Sequence, residues 1–211
     1  MARVSKINGW TGEFNSSFLS CEKDTETILK KLFIDSRPYS DYLKRLLLIN
    51  TKDCISDMTN PAYTKLIRDT SLVDMREHGY IRLEPRISLG ENESAKSYLI
   101  IYFDNFVPNI ENPYWRDCIV NIDIICNTDC WDIGECRLRP LKIAGYIDGI
   151  LNGARLSGLG KLNFIGCNEI VMSEQLTGYC LMYSATHGVD DIENIDIETM
   201  YVPEEEEEIN D

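Results

Sequence analysis

Between residues 97 and 126 the apolar positions fall into two strand patterns. Ser97–Phe106 reads SYLIIYFDNF, with Leu99, Ile101 and Phe103 on one face and Tyr98, Ile100 and Tyr102 on the other. This strand is apolar on both sides. Cys118–Cys126 reads CIVNIDIIC: Cys118, Val120, Ile122, Ile124 and Cys126 share one face, and Asn121 and Asp123 lie opposite. That period of two marks a half-buried strand. From Pro140 the period lengthens. Ile143, Ala144, Ile147, Ile150, Leu151 and Ala154 recur at helical spacing and predict a helix over 140–155, with the proline in its favoured first turn. Ser157–Gly160 stops that helix. Lys161–Ile165 reads as a short strand, Glu169–Met172 leads into a turn, and Gly178–Thr186 alternates again as a final strand.

The first ninety residues have a different texture. Asp24 is placed to cap a helix over Thr25–Ile34, with Ile28, Leu29, Leu32 and Phe33 on one stripe. Pro38 suits the first turn of a second helix that buries Leu43, Leu46, Leu47 and Tyr42. Asn60–Pro61 opens a third, with Tyr63, Leu66 and Ile67 inward. Arg82–Leu89 reads as extended, and Pro85 argues for an edge. The pattern divides the chain into an arm (1–23), a helical segment (24–89), a ββαββ core (90–189) and an acidic tail (190–211). The fold class expected is α+β: a mostly antiparallel sheet with one packed helix, an N-terminal helical segment and that tail. Two long loops, 107–117 and 127–139, carry Trp115 and Trp131, residues suited to a ligand or a protein interface.

Composition narrows the function classes. Hydrophobic residues make up 44% of the chain, normal for a globular core. No apolar run approaches the roughly 20 residues that span a bilayer, and no apolar stretch follows MARVSKINGW, so neither membrane insertion nor a signal peptide is expected. The net charge is -14, but residues 190–211 hold 11 acidic residues and no Lys or Arg, which leaves -3 for the remainder. The run Glu204, Glu205, Glu206, Glu207, Glu208 is a solvated tail or a ligand for a basic partner. A basic nucleic-acid footprint is absent.

Catalytic and metal chemistry have weak support. The 8 cysteines include no C-x-x-C pair, and the spacing Cys126, Cys130, Cys136 is looser than a structural zinc site. No metal and no cofactor is expected; core or loop thiols in a reducing compartment are the simpler reading. A thiol enzyme pairs Cys with His. Cys180 lies seven residues before His187 on one strand, too far to meet it, so a cysteine distant in sequence would have to reach His187. His78 reads as a helix-end residue. Carboxylate pairs such as Asp129 with Asp132, or Asp190 with Asp191, are too common here to single out a site. No catalytic residue is assigned. Gly145, Gly149 and Gly153 recur every four residues, opposite the buried face of the predicted helix. An interior glycine costs about 1 kcal/mol relative to alanine. The stripe is either a solvated face or the place where a neighbouring subunit's backbone approaches.

The unit from Ser97 to Thr186 resembles the tail terminator and head–tail connector proteins of tailed bacteriophages. The residues that carry the resemblance are VNIDIIC (Val120–Cys126), the variable loop, RPLKIAGYIDGILNG (Arg139–Gly153), Leu159–Gly160, KLNFIG (Lys161–Gly166) and GYCLMYS (Gly178–Ser184). They cover a little under half of the chain. The helical N-terminal segment and acidic tail depart from ordinary tail terminators and suggest a larger neck or tail ring protein, as in crAss-like phages. The resemblance implies a non-enzymatic, homo-oligomeric ring in the virion neck or tail, assembled in the host cytoplasm. The ring would join the portal to adjacent ring proteins, around DNA that passes without specific binding. Gly145, Gly149, Gly153, Trp115 and Trp131 are its expected subunit-interface residues, and Glu204–Glu208 its expected partner-binding tail. The rival readings are a small intracellular enzyme with a Cys/His or carboxylate site, and a monomeric adaptor whose acidic tail binds a basic partner.

Overall fold

The computed structural model describes residues 4–7, 10–13, 18, 21–83, 96–111 and 115–187. The acidic tail, including Glu204–Glu208, and most of the expected extension over 82–89 lie outside the described residues. The chain is α+β, as its patterning implies. In order it forms β1 (Val4–Ile7), β2 (Trp10–Glu13), α1 (Cys21–Lys30), α2 (Tyr39–Leu48), α3 (Pro61–Asp69), α4 (Leu72–Glu77) and β3 (Ile81–Arg82). There follow β4 (Ser97–Pro108), β5 (Arg116–Asn127), α5 (Arg139–Leu151), β6 (Arg155–Leu156), β7 (Gly160–Lys161), β8 (Asn163–Val171) and β9 (Leu176–His187). The main sheet runs β3-β4-β5-β9-β8. Only the two-residue β3–β4 pairing is parallel.

Local chemistry sets several boundaries. The Asn60 side chain accepts from the backbone N–H groups of Ala62 (3.0 Å) and Tyr63 (3.4 Å), with Pro61 in the first turn of α3. Ser71 and Asp74 form a reciprocal capping box on α4. Asp24 does not cap α1 as the sequence suggests: α1 starts three residues earlier, and Asp24 is buried in its first turn. The helix continues as a wider π turn over Lys31–Asp35. The predicted helix over 140–155 stops at Leu151, because Gly153 takes a left-handed backbone (φ 78°) that reverses the chain. The two fragments expected over 161–172 are one strand, β8, bent by an irregularity between Phe164 and Gly166. The loop expected from 107 is shorter, since β4 carries on to Pro108 past a bulge between Asp104 and Val107.

One core joins the helical half to the sheet. Ile28, Leu32, Phe33, Leu43, Leu46 and Leu47 pack in one cluster with Leu99, Ile101, Val120, Ile122 and Ile124 of the sheet and Ile143, Ile147 and Leu151 of α5. Each such side chain contributes about 1.5–3 kcal/mol of burial. Ile67 of α3 joins this cluster, whereas Leu66, expected inward, is exposed. The second apolar face of β4 has its own role. Tyr98 and Ile100 form a separate buried cluster with Ile125 and Leu176 on the opposite side of the sheet, with Tyr102 and Ile170 against it.

Candidate functional site

Three places in this fold bring together groups that local burial does not explain: the sheet edges, the surroundings of the buried Arg139, and the corner where β9 ends beside α1.

β8 is an edge strand, paired to β9 on one side only. Its sequence NFIGCNEIV has a single charge and no proline. Ile165 is 50% and Val171 68% exposed, with Phe164 and Met172 also at the surface. At the other edge β3 covers only Leu99 and Ile100 of β4. Among the described residues, no strand pairs with that side of β4 beyond this point. An edge strand such as β8, with one charge and no proline, is a template for another chain; the distal half of β4 carries Asp104 and Pro108.

α5 shows its glycines to open space. A Cβ built on Gly145 or Gly149 meets nothing within 4 Å. Gly153 is not on the helix at all, which corrects the three-glycine stripe: it belongs to the turn that follows. Trp115 is half exposed. Trp131 lies against its own sheet, its Nε1 donating to the Cys126 carbonyl (3.3 Å) and its ring 6.3 Å from that of Tyr179.

Arg139 is fully buried, and among the described residues no carboxylate forms an ion pair with it. Its Nε donates to the Cys130 carbonyl (2.7 Å), Nη1 to those of Leu46 (2.6 Å) and Ile49 (2.7 Å), and Nη2 to that of Thr51 (2.8 Å). Leu46 and Ile49 end α2, where backbone carbonyls lack helical partners and cations are favoured. The guanidinium therefore ties the helical half to the start of α5. The nearby Cys126 thiol is pushed up to about 12 by burial, only partly offset by Ser97 and Arg139. Among the described residues no three His, Cys, Asp or Glu side chains could hold a metal ion.

On the far face of the sheet, Asp123 is buried beside Cys180 and Tyr102, with its Oδ1 lacking a hydrogen-bond partner. Burial raises its carboxyl above the ordinary range; hydrogen bonds from Cys180 and Tyr102 oppose the shift. Burial and Asp123 together push the Cys180 thiol up to about 12. Cys180 is therefore a structural thiol, its Sγ 3.7 Å from Asn121 Oδ1.

The carboxylates weighed from sequence do not converge. Asp132 pairs with Lys52 (2.7 Å) at the surface, and this hydrogen bond is the first cause of its lowered pKa. Asp129 sits in the turn that Asn127 caps. His78 closes α4 at the surface, its Nδ1 2.7 Å from the Asp74 carbonyl. His187 is different. It is fully buried at the end of β9, with Nδ1 2.5 Å from Asp24 Oδ2 and Nε2 3.9 Å from Cys21 Sγ. Sequence reading singled out His187 but not its partners, which lie 163 and 166 positions away. No local motif links them. A groove of about 610 Å³ elsewhere, lined by Val73, Arg76, Glu77, Gly79, Ile81, Arg82 and Leu83, contains no Ser, Thr, Cys, His or Lys.

Fold and surfaces define an α+β protein built on an open, helix-backed antiparallel sheet. The family model YomW matches residues 40–185, and the chain belongs to that family, which is phage-associated. No curated protein matches the chain. Among solved structures, a chain from "Virion of native gene transfer agent (GTA) particle" aligns at 16% identity with a TM-score of 0.38, over 59% of this chain and 90% of that one. A likeness that loose carries no argument about role. Among the described residues, no helix is long and apolar enough to cross a membrane.

Proposed function

We propose that this chain is a structural virion protein: a subunit of an oligomeric ring in a phage neck or tail that connects the portal to the tail around the DNA channel. The observation that carries this reading is the pair of sheet edges that, among the described residues, have no further strand beside them. β8 lies at one side of the sheet and the distal half of β4 at the other. Pairing of different edges in successive subunits is a heterologous contact, and heterologous contacts close into rings when the rotation permits. The exposed apolar residues of β8 would become the core of that contact, and the open Gly145 and Gly149 face would admit a neighbour's backbone. Membership of a phage-associated family supports the setting. A net charge of -14, of which residues 190–211 carry -11, leaves the rest of the chain close to balanced, which suits a wall that passing DNA does not stick to.

Native mass spectrometry of the full chain, alone and with a neck or tail extract, tests this. A ring-sized oligomer in either setting is expected, and Ile165→Lys with Val171→Lys abolishes it while the circular dichroism spectrum is kept. A chain that stays monomeric in both settings and is missing from purified particles overturns the reading.

A further inference from the structure

Cys21, Asp24 and His187 form an ordered relay from thiol to imidazole to carboxylate. α1 positions two of its members: Cys21 is the first residue of the helix and Asp24 lies one turn on, so both side chains face the end of β9. β9 supplies the third. Asp24 is buried and holds His187 Nδ1 at 2.5 Å, which fixes the ring and turns Nε2 toward Cys21 Sγ at 3.9 Å. Phe106 packs edge-on against the imidazole, with ring centroids 5.9 Å apart, and limits its rotation further. β5 runs alongside, with Arg116 in register with His187, and Asp117 and Cys118 following. Cys118 is no rival nucleophile: burial first, then Cys21 and Asp24, push its thiol up to about 12. Cys21 itself is only partly buried, unlike Cys118. A nucleophile with a base, and a base with an orienting group, is the general arrangement of an activated thiol.

We propose that Cys21 is an activated thiol that exchanges with low-molecular-weight disulfides, making this corner a site of reversible S-thiolation. The Cys21 proton passes to His187 Nε2, and the sulfur attacks one sulfur of the disulfide. The Cys21 S–S bond forms as the reagent's own S–S bond breaks, and the departing thiolate takes the proton back from His187. Cys21 ends oxidised to a mixed disulfide, and half of the reagent ends reduced to a thiol. Exchange of this kind requires no oxyanion-binding groups. The added group would wedge between α1 and β9 at the point where Asp24 and His187 tie them together. This inference stands apart from the ring reading and holds for a monomer as well.

The test incubates the full chain with oxidised glutathione at pH 7 and follows each cysteine by time-resolved peptide mass spectrometry. Cys136 and Cys167, both exposed, serve as internal references. Cys21 is expected to react at least about tenfold faster than either, in spite of its lower exposure. His187→Gln is expected to bring its rate down to that of the references, and Asp24→Asn to slow it while leaving the references unchanged. Wild-type Cys21 reacting no faster than Cys136 or Cys167 overturns the proposal, as does a folded His187→Gln protein whose Cys21 rate is unchanged. Should both variants fail to fold, the wild-type ranking decides alone.

Discussion

Removing the Arg139 guanidinium is expected to be among the most damaging single changes in this chain. The side chain donates to four backbone carbonyls at 2.6–2.8 Å, belonging to Leu46, Ile49, Thr51 and Cys130. An orphaned buried carbonyl costs about 1–3 kcal/mol. Four at the lower end of that range give about 4 kcal/mol. Against this stands the relief of no longer burying a guanidinium away from water. Removing one partner from a buried charged network has a net cost of about 3–5 kcal/mol, and Arg139→Met, which keeps most of the stem, is placed in that range. Arg139→Ala adds a cavity and is expected to lose somewhat more. Arg139→Lys has three donors on one nitrogen and cannot span the four acceptors, so it falls between Met and wild type. The assay is urea unfolding followed by tryptophan fluorescence. With a slope of about 2 kcal/mol/M, the Met variant's midpoint falls by about 2 M. A Met variant within about 1 kcal/mol of wild type refutes the reasoning, because the hydrogen bonds would then only offset the burial of the charge.

Further expectations concern other parts of the fold. A Cβ on Gly178 would lie 1.7 Å from the Ile124 carbonyl oxygen, where β9 presses against β5, so Gly178→Ala is expected to cost at least about 2 kcal/mol in the same assay; a loss under about 0.5 kcal/mol counts against it. Gly145 and Gly149 face open space, so alanine at either position is expected to stabilise the monomer by about 0.5–1 kcal/mol while lowering ring yield in native mass spectra. Unchanged ring yield removes these glycines from the interface. Burial keeps the Asp123 carboxyl protonated above its ordinary range, so the folded chain holds a proton that the unfolded chain releases. The associated stability is complete below the ordinary carboxylate value and is lost as pH rises through the shifted one. Asp123→Asn is therefore expected to flatten the fall in urea midpoint between pH 4 and pH 7; parallel slopes in the two proteins speak against it.

The parts of the fold that were legible in sequence are those whose information is local. Alternation in Cys118–Cys126 set the inward face of β5, and the spacing of Ile143, Ile147 and Leu151 set that of α5, since each pattern is written in neighbouring residues. The apolar second face of β4 was legible as a pattern but not as a contact: the structure gives it Ile125 and Leu176 within the same chain. Boundaries were less readable. Asp24 has the composition of a cap, yet its carboxylate is recruited by a histidine 163 residues away, and α1 begins before it. Gly153 fits the helical spacing of Gly145 and Gly149, but its left-handed backbone ends the helix first.

The sequence by itself determined the long strands and helices, most of their buried faces, the α+β class and the net negative charge, because periodicity and composition act through adjacent residues and total charge. Tertiary structure alone decided which groups meet. The Arg139 contacts span about ninety residues, and the Cys21, Asp24 and His187 corner spans most of the described chain. These pairings depend on strand order and register, which bring the end of β9 to the start of α1, and no spacing along the chain encodes that distance.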